Sequence, residues 1–94
     1  MIKKYDIIFL CLAKNVESTI KKLFDFHQSL KNKKINSLIL IGENDSKDKT
    51  LETINNYTSI DNSIICLDTS LINIYKNRIE RLTHGRNFLK NYLK

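Results

Sequence analysis

This 94-residue chain predicts an α/β protein built on a parallel sheet, and three observations predict it. Compact apolar runs at residues 7–13 (I-I-F-L-C-L-A), 37–42 (S-L-I-L-I-G) and 63–67 (S-I-I-C-L) lack the alternation of half-exposed strands and suit strands buried on both faces. Between them, apolar residues recur at three- and four-residue spacing, the period of one helical face. The second and third runs also end at clusters of carboxylate, amide and hydroxyl groups, Glu43-Asn44-Asp45-Ser46 and Asp68-Thr69-Ser70. A βαβαβ order with right-handed crossovers follows, closed by a last helix: a Rossmann-like three-layer half-domain, with residues 1–94 forming one domain.

Each element has its own grounds. After the first strand Asn15 is placed to cap a helix whose buried face is Val16, Ile20, Leu23, Phe24, His27 and Leu30, and which ends among Lys31, Lys33 and Lys34, where cations suit the helix dipole. The second strand leads to a short helix begun by Ser46 or Asp48, with Leu51, Ile54 and Tyr57 as its apolar stripe. Beyond an irregular stretch at residues 71–76, a final helix spans about residues 78–93. Its stripe reads Ile79, Leu82, Leu89 and Leu93, with Arg86 where the pattern should continue. A guanidinium there either meets an acidic group or ligand at the sheet or reaches past the stripe to solvent, because an unpaired buried charge costs several kcal/mol. Gly85, which costs a helix interior roughly 1 kcal/mol relative to Ala, points to a close approach of backbone or ligand.

Composition narrows the function classes. The hydrophobic fraction of 41%, with 2 Gly and no Pro, excludes a linker or a low-complexity tail. A net charge of +6 would suit nucleic acid, but Lys, Ile and Asn dominate the chain together, so the lysines read as solvated background and no nucleic-acid partner is expected. The aromatic residues are too dispersed for a base-stacking platform. Cys11 and Cys66 sit in apolar runs without metal-ligand spacing and read as buried thiols of a reducing compartment. The start, residues 1–6, is basic, but the run after it is too short for a signal peptide, and nothing approaches the ~18 apolar residues of a membrane helix. The expected location is cytoplasmic, with peripheral membrane attachment left open. Walker, G-x-G-x-x-G, Ser-His-Asp and zinc-site patterns are lacking. His27 reads as a packed core histidine and His84 as a solvent-facing one.

Polar groups just past the carboxyl ends of parallel strands are where ligands settle in open α/β sheets. Three segments line up in order: C-L-A-K-N-V-E at residues 11–17 after the first strand, E-N-D-S-K-D-K-T at 43–50 after the second, and R-I-E-R-L-T-H-G-R-N at 78–87 on the last helix. Together they resemble the amino-terminal nucleotide-binding half of glycosyltransferases with the A-type fold. The middle segment is similar to the D-D-x-S-x-D-x-T box of family 2 enzymes, with Glu43 and Asn44 in place of the paired aspartates. Closer still is the resemblance to the cryptococcal mannosyltransferase-like group, with A-R-N-x-E, E-N-D-S-x-D-x-T and R-x-x-R followed by R-N. The resemblance covers most of the chain.

What the resemblance implies is a nucleotide-binding set of Ala13, Asn15, Glu43, Asn44, Asp45, Arg81 and Arg86 for a nucleoside-diphosphate sugar used in glycan or cell-surface polysaccharide synthesis. Glu43 would accept a hydrogen bond from a base N–H or a ribose hydroxyl, Asn44 and Asp45 would support the loop, and residues 13–15 would form the opposite wall. Arg81 would stand near the base, and Arg86 would pair that carboxylate or steady the pyrophosphate. The chain departs from the pattern in having no Pro in the first loop. It also ends before the D-x-D motif that binds Mn or Mg and diphosphate, so it reads as a fragment with no catalytic residue and no metal ligand of its own, inactive alone. The first strand would then be an open edge, inviting self-association or a partner chain. A non-catalytic α/β interaction module docking through that edge is the alternative, and a basic nucleic-acid binder using the last helix is a third.

Overall fold

The computed structural model describes residues 5–93; the basic start at residues 1–4 lies outside the described residues. The elements follow the order β1 (Ile7–Ala13), α1 (Glu17–Asn32), β2 (Ser37–Glu43), α2 (Thr50–Thr58), β3 (Ile64–Asp68), a 3₁₀ turn (Ser70–Ile74) and α3 (Arg78–Tyr92). The three strands form one parallel sheet in the order β1-β2-β3. Ile7 pairs with Ser37 and Ala13 with Glu43 at the two ends of the first ladder, and Ile39 with Ile64 and Glu43 with Asp68 at the ends of the second. This is an α/β fold, a small Rossmann-like half-domain, as the alternation of the sequence predicts.

β2 is buried along its whole length because it is the central strand with helices on both faces. Side chains alternate between those faces, and the alternation sorts the core. Odd-numbered Ile39 and Ile41 join Ala13, Ile20, Phe24, Ile54 and Ile64 in the cluster beneath α1 and α2, with Phe9, Cys11 and Cys66 packed at its margin. The other face meets α3. There Gly42 and Gly85 flank the Leu12 side chain: a Cβ on Gly85 would lie 2.8 Å from both Leu12 methyls, and one on Gly42 would lie 2.6 Å from Thr69 Cγ2. The close approach expected at Gly85 is therefore to a leucine side chain of β1.

The burial of α1 follows the expected stripe, with Ile20, Phe24, His27 and Leu30 turned inward. That of α3 does not. Its buried residues are Gly85 and Leu89, whereas Ile79 is 72% exposed and Arg86 lies on the exposed surface without an ion pair among the described residues. The helix is rotated from the stripe read in the sequence because the missing Cβ of Gly85 lets it sit closest to the sheet at that residue. Arg86 accordingly takes the solvent-facing alternative. Asn77, unnoticed in the sequence, caps α3 by accepting hydrogen bonds from the backbone N–H groups of Ile79 (2.7 Å) and Glu80 (3.4 Å).

At the amino ends of the strands a closed polar cluster joins α1 to β2 and β3. His27 Nδ1 lies 2.6 Å from Ser37 Oγ and Nε2 lies 2.8 Å from Ser63 Oγ. Ser63 Oγ donates to Asp61 Oδ1 at 2.5 Å, and Lys31 Nζ donates to Asp61 Oδ2 at 2.5 Å. The Ser63 hydroxyl has thus committed its proton to Asp61, so it accepts from Nε2–H, leaving Nδ1 to accept from Ser37. This fixes the neutral tautomer of His27. Burial holds the His27 ring below its ordinary value, against the pull of the Asp61 carboxylate. For Asp61 burial works upward, but the hydrogen bonds from Lys31 and Ser63 outweigh it and hold the carboxyl at about 2. His27 is the packed histidine expected of it.

Candidate functional site

The carboxyl ends of β1 and β2 open into loops that are tied to each other across more than thirty residues of sequence. Asn15 takes the left-handed conformation (φ 53°) and does not cap α1, whose cap position is Val16. Instead its backbone N–H donates to Ser46 Oγ (3.0 Å) and its side-chain Oδ1 accepts from the Lys47 N–H (2.6 Å). Val16 N–H donates to Thr50 Oγ1 at 2.8 Å. Glu17 N–H donates to Asp48 Oδ2 and Lys49 N–H donates to Glu17 Oε1, both at 3.2 Å. Ser46 is therefore a cross-tie rather than the cap of α2, whose cap position is Lys49. Asp48 accepts from the Thr50 hydroxyl and backbone N–H, hydrogen bonds that lower its pKa.

Against this double loop lies a hollow of about 720 Å³, bounded on its far side by the 3₁₀ turn and α3. Ala13, Asn15 and Asn44 line one wall, and Arg78 and Arg81 the other, with Lys14 also at its lining. Asn44 carries a polar atom of note. The residue is 9% exposed, and its Oδ1 is a buried acceptor without a hydrogen-bond partner among the described residues. A buried polar atom left in that state costs on the order of 1–3 kcal/mol, and the residue that carries it also lines the hollow. Arg81 uses Nη1 to bind the carbonyls of Tyr75 (2.9 Å) and Lys76 (2.8 Å), which fixes the chain entering α3 and leaves the rest of its donor fork for the hollow. His84, expected to face solvent only, is exposed but stacks on the Tyr75 ring, with centroids 4.0 Å apart and planes 6° from parallel.

The structure divides the seven expected residues between two hollows and the exposed surface. Ala13, Asn15, Asn44 and Arg81 share the hollow just described, whereas Glu43 and Asp45 line a second one of about 390 Å³ together with Leu51, Asn55, Cys66, Asp68 and Ser70. Arg86 lines neither. The period of a strand explains the division, for Glu43 continues the parity of Ile39 and Ile41 and emerges on the α1/α2 side, while α3 carries Arg81 on the opposite face. Glu43 is 6% exposed, and its Oε2 accepts the Ser46 N–H at 3.0 Å, so it braces the loop from beneath. Asp45 (φ 47°) is exposed, with Lys47 Nζ at 3.5 Å.

Sequence reasoning missed Arg78 as a lining residue and Thr69 as a support. Thr69 Oγ1 donates to the Glu43 carbonyl at 3.1 Å, tying the β3 end to the β2 end. Acidic groups do gather at the second hollow, where the Ser70 N–H and hydroxyl hold Asp68 below the ordinary carboxylate range and burial, with the charges of Glu43 and Asp68, pushes the Cys66 thiol up. Among the described residues, however, no group of three or more His, Cys, Asp or Glu side chains is arranged to hold a metal ion. No helix among them is long and apolar enough to cross a membrane. In comparisons with known proteins, no family model, no curated protein and no solved structure matches this chain.

Proposed function

We propose that this chain is the donor-binding region of a glycosyltransferase and that it holds a nucleoside-diphosphate sugar in the hollow between the β1–β2 loops and α3. The observation carrying this reading is the cleft of about 720 Å³ at the strand ends, lined by Asn15 and Asn44 of the loops and by Arg78 and Arg81 of α3. That volume falls within the range of small-molecule sites, and the position is the one where open parallel sheets take ligands. The Asn44 side-chain amide supplies the polar group of the loop wall for the edge of the base, a contact an apolar ligand cannot use. Arg78 and Arg81 offer planar donor forks to the diphosphate. Glu43 supports the loop through Ser46 rather than touching the base, in revision of the role the resemblance implies. A divalent ion such as Mn or Mg would add charge at the diphosphate. Glycan or polysaccharide synthesis is the setting that the resemblance favours.

Calorimetric titration with uridine and guanosine diphosphates, with and without Mg²⁺, tests the proposal. Binding that weakens about tenfold or more in Asn44→Ala and in Arg78→Ala, while Arg86→Ala binds like the parent, is the expected pattern. Failure of the parent to bind either nucleotide, or equal binding by the first two variants, overturns it.

A further inference from the structure

The outer edge of β1 carries a pattern of groups that specifies its own complement. At its ends, Ile7 N–H donates to the Asn36 carbonyl and the Ala13 carbonyl accepts from the Asn44 N–H, so the odd-numbered residues of β1 bond to β2. The N–H and C=O groups of Ile8, Leu10 and Leu12 therefore point away from the sheet, and among the described residues no strand pairs with them. Apolar side chains border the edge on both faces. Ile8 is 45% exposed on the α3 face, while on the α1 face Ile7 is 38% exposed and Phe26, which meets Phe9 edge-on at 6.1 Å, is 52% exposed.

We propose that a second copy of this chain covers this edge, pairing β1 antiparallel with its own counterpart about a two-fold axis at Leu10. Three properties select this arrangement. An isologous contact requires an antiparallel pair of identical strands, since a two-fold axis perpendicular to the sheet reverses the strand. Centring it on Leu10 sets Leu10 against Leu10, Ile8 against Leu12 and Leu12 against Ile8, so that all the outward-facing groups of β1 fall in hydrogen-bonded pairs; shifting the axis to any other residue leaves some of them unmatched. The same register sets Asp6, exposed just before the strand and with its Oδ2 accepting from the Asn36 N–H at 2.9 Å, opposite Lys14, exposed just after it, at both ends of the contact. Opposite charges directly across a strand pair are favourable and like charges are not. The result is a continuous six-stranded sheet in which Ile7, Ile8 and Phe26 lose water at the seam.

Sedimentation equilibrium over a range of concentrations, with hydrogen exchange followed residue by residue, tests the proposal without reference to any nucleotide. The expected result is a concentration-dependent dimer in which the amides of Ile8, Leu10 and Leu12 become protected as it forms, while those of Phe9 and Cys11 are protected in monomer and dimer alike. Ile8→Pro removes an outward N–H, a loss that an edge strand tolerates, and raises the dissociation constant by about tenfold or more with the helical circular dichroism retained. Lys14→Glu, which sets two carboxylates together at each end, weakens the dimer, and Asp6→Lys combined with it restores association. A chain that stays monomeric at all concentrations overturns the proposal, as do a dimer with unchanged exchange at Ile8, Leu10 and Leu12 and a dimer indifferent to both the proline and the charge reversal.

Discussion

The two ends of the sheet handle their polar groups in opposite ways. At the amino ends His27, Ser37, Ser63, Asp61 and Lys31 form a chain in which each donor meets an acceptor, closed on itself beneath α1. At the carboxyl ends the loops are equally well tied, yet among the described residues the buried Asn44 Oδ1 has no partner, and the residue borders a hollow flanked by arginines. The first arrangement stabilises the fold; the second gives up some stability.

Substitution should separate these two economies. The largest effect is expected at the closed end. His27→Ala removes a fully buried ring and strands the Ser37 hydroxyl, and should cost about 3 kcal/mol in urea unfolding while nucleotide affinity, measured on the folded fraction, stays unchanged. Acid should attack the same end. His27 is depressed from 6.5 and Asp61 from 3.8 to about 2, so in both cases the unfolded chain binds protons first. Their contribution is complete above about pH 6.5 and is lost in two stages on acidification, one below 6.5 and one between 3.8 and about 2. Unfolding curves against pH should show the upper stage vanish in His27→Leu and the lower one in Asp61→Asn.

At the open end the sign reverses. Asn44→Ala removes an unsatisfied acceptor and should leave stability unchanged or raise it by up to about 1 kcal/mol, together with the loss of nucleotide binding; a loss of stability near that of His27→Ala would mean that Asn44 belongs to the fold and not to the site. The smallest effect belongs to Arg86→Ala, within about 0.5 kcal/mol in stability, since the side chain is exposed without an ion pair among the described residues.

The parts of the molecule that were legible in the sequence are those governed by burial. Three unbroken apolar runs gave strands within a residue of their observed limits, and the α1 stripe with His27 inside it was read correctly because a helix packed on a sheet must present one face. The stripe of α3 was misread because glycine registers as a blank in a hydrophobic pattern, although a blank is what lets the helix close on Leu12. The site was half legible. Proximity of Ala13, Asn15 and Asn44 to Arg81 follows from topology, since loops at the same ends of neighbouring parallel strands must meet. That Glu43 would turn away from them was also available, by counting from Ile39 and Ile41 in steps of two, but a contiguous E-N-D-S box invites the assumption that its members act together. The role of Asn15 was hidden for a different reason: its left-handed backbone and its bonds to Ser46 and Lys47 depend on a segment thirty-one residues away.

That long-range lacing has a consequence for how a guest is received. Because Asn15, Val16 and Glu17 are stitched to residues 46–50 before anything enters, the wall they form arrives already set, and little chain freedom remains to be surrendered when the cleft fills. Cutting one stitch, the Asn15 Oδ1 bond to Lys47 that Asn15→Gly removes, should leave the mouth in place but slacken it, so that the penalty for occupancy appears as disorder that must be quenched.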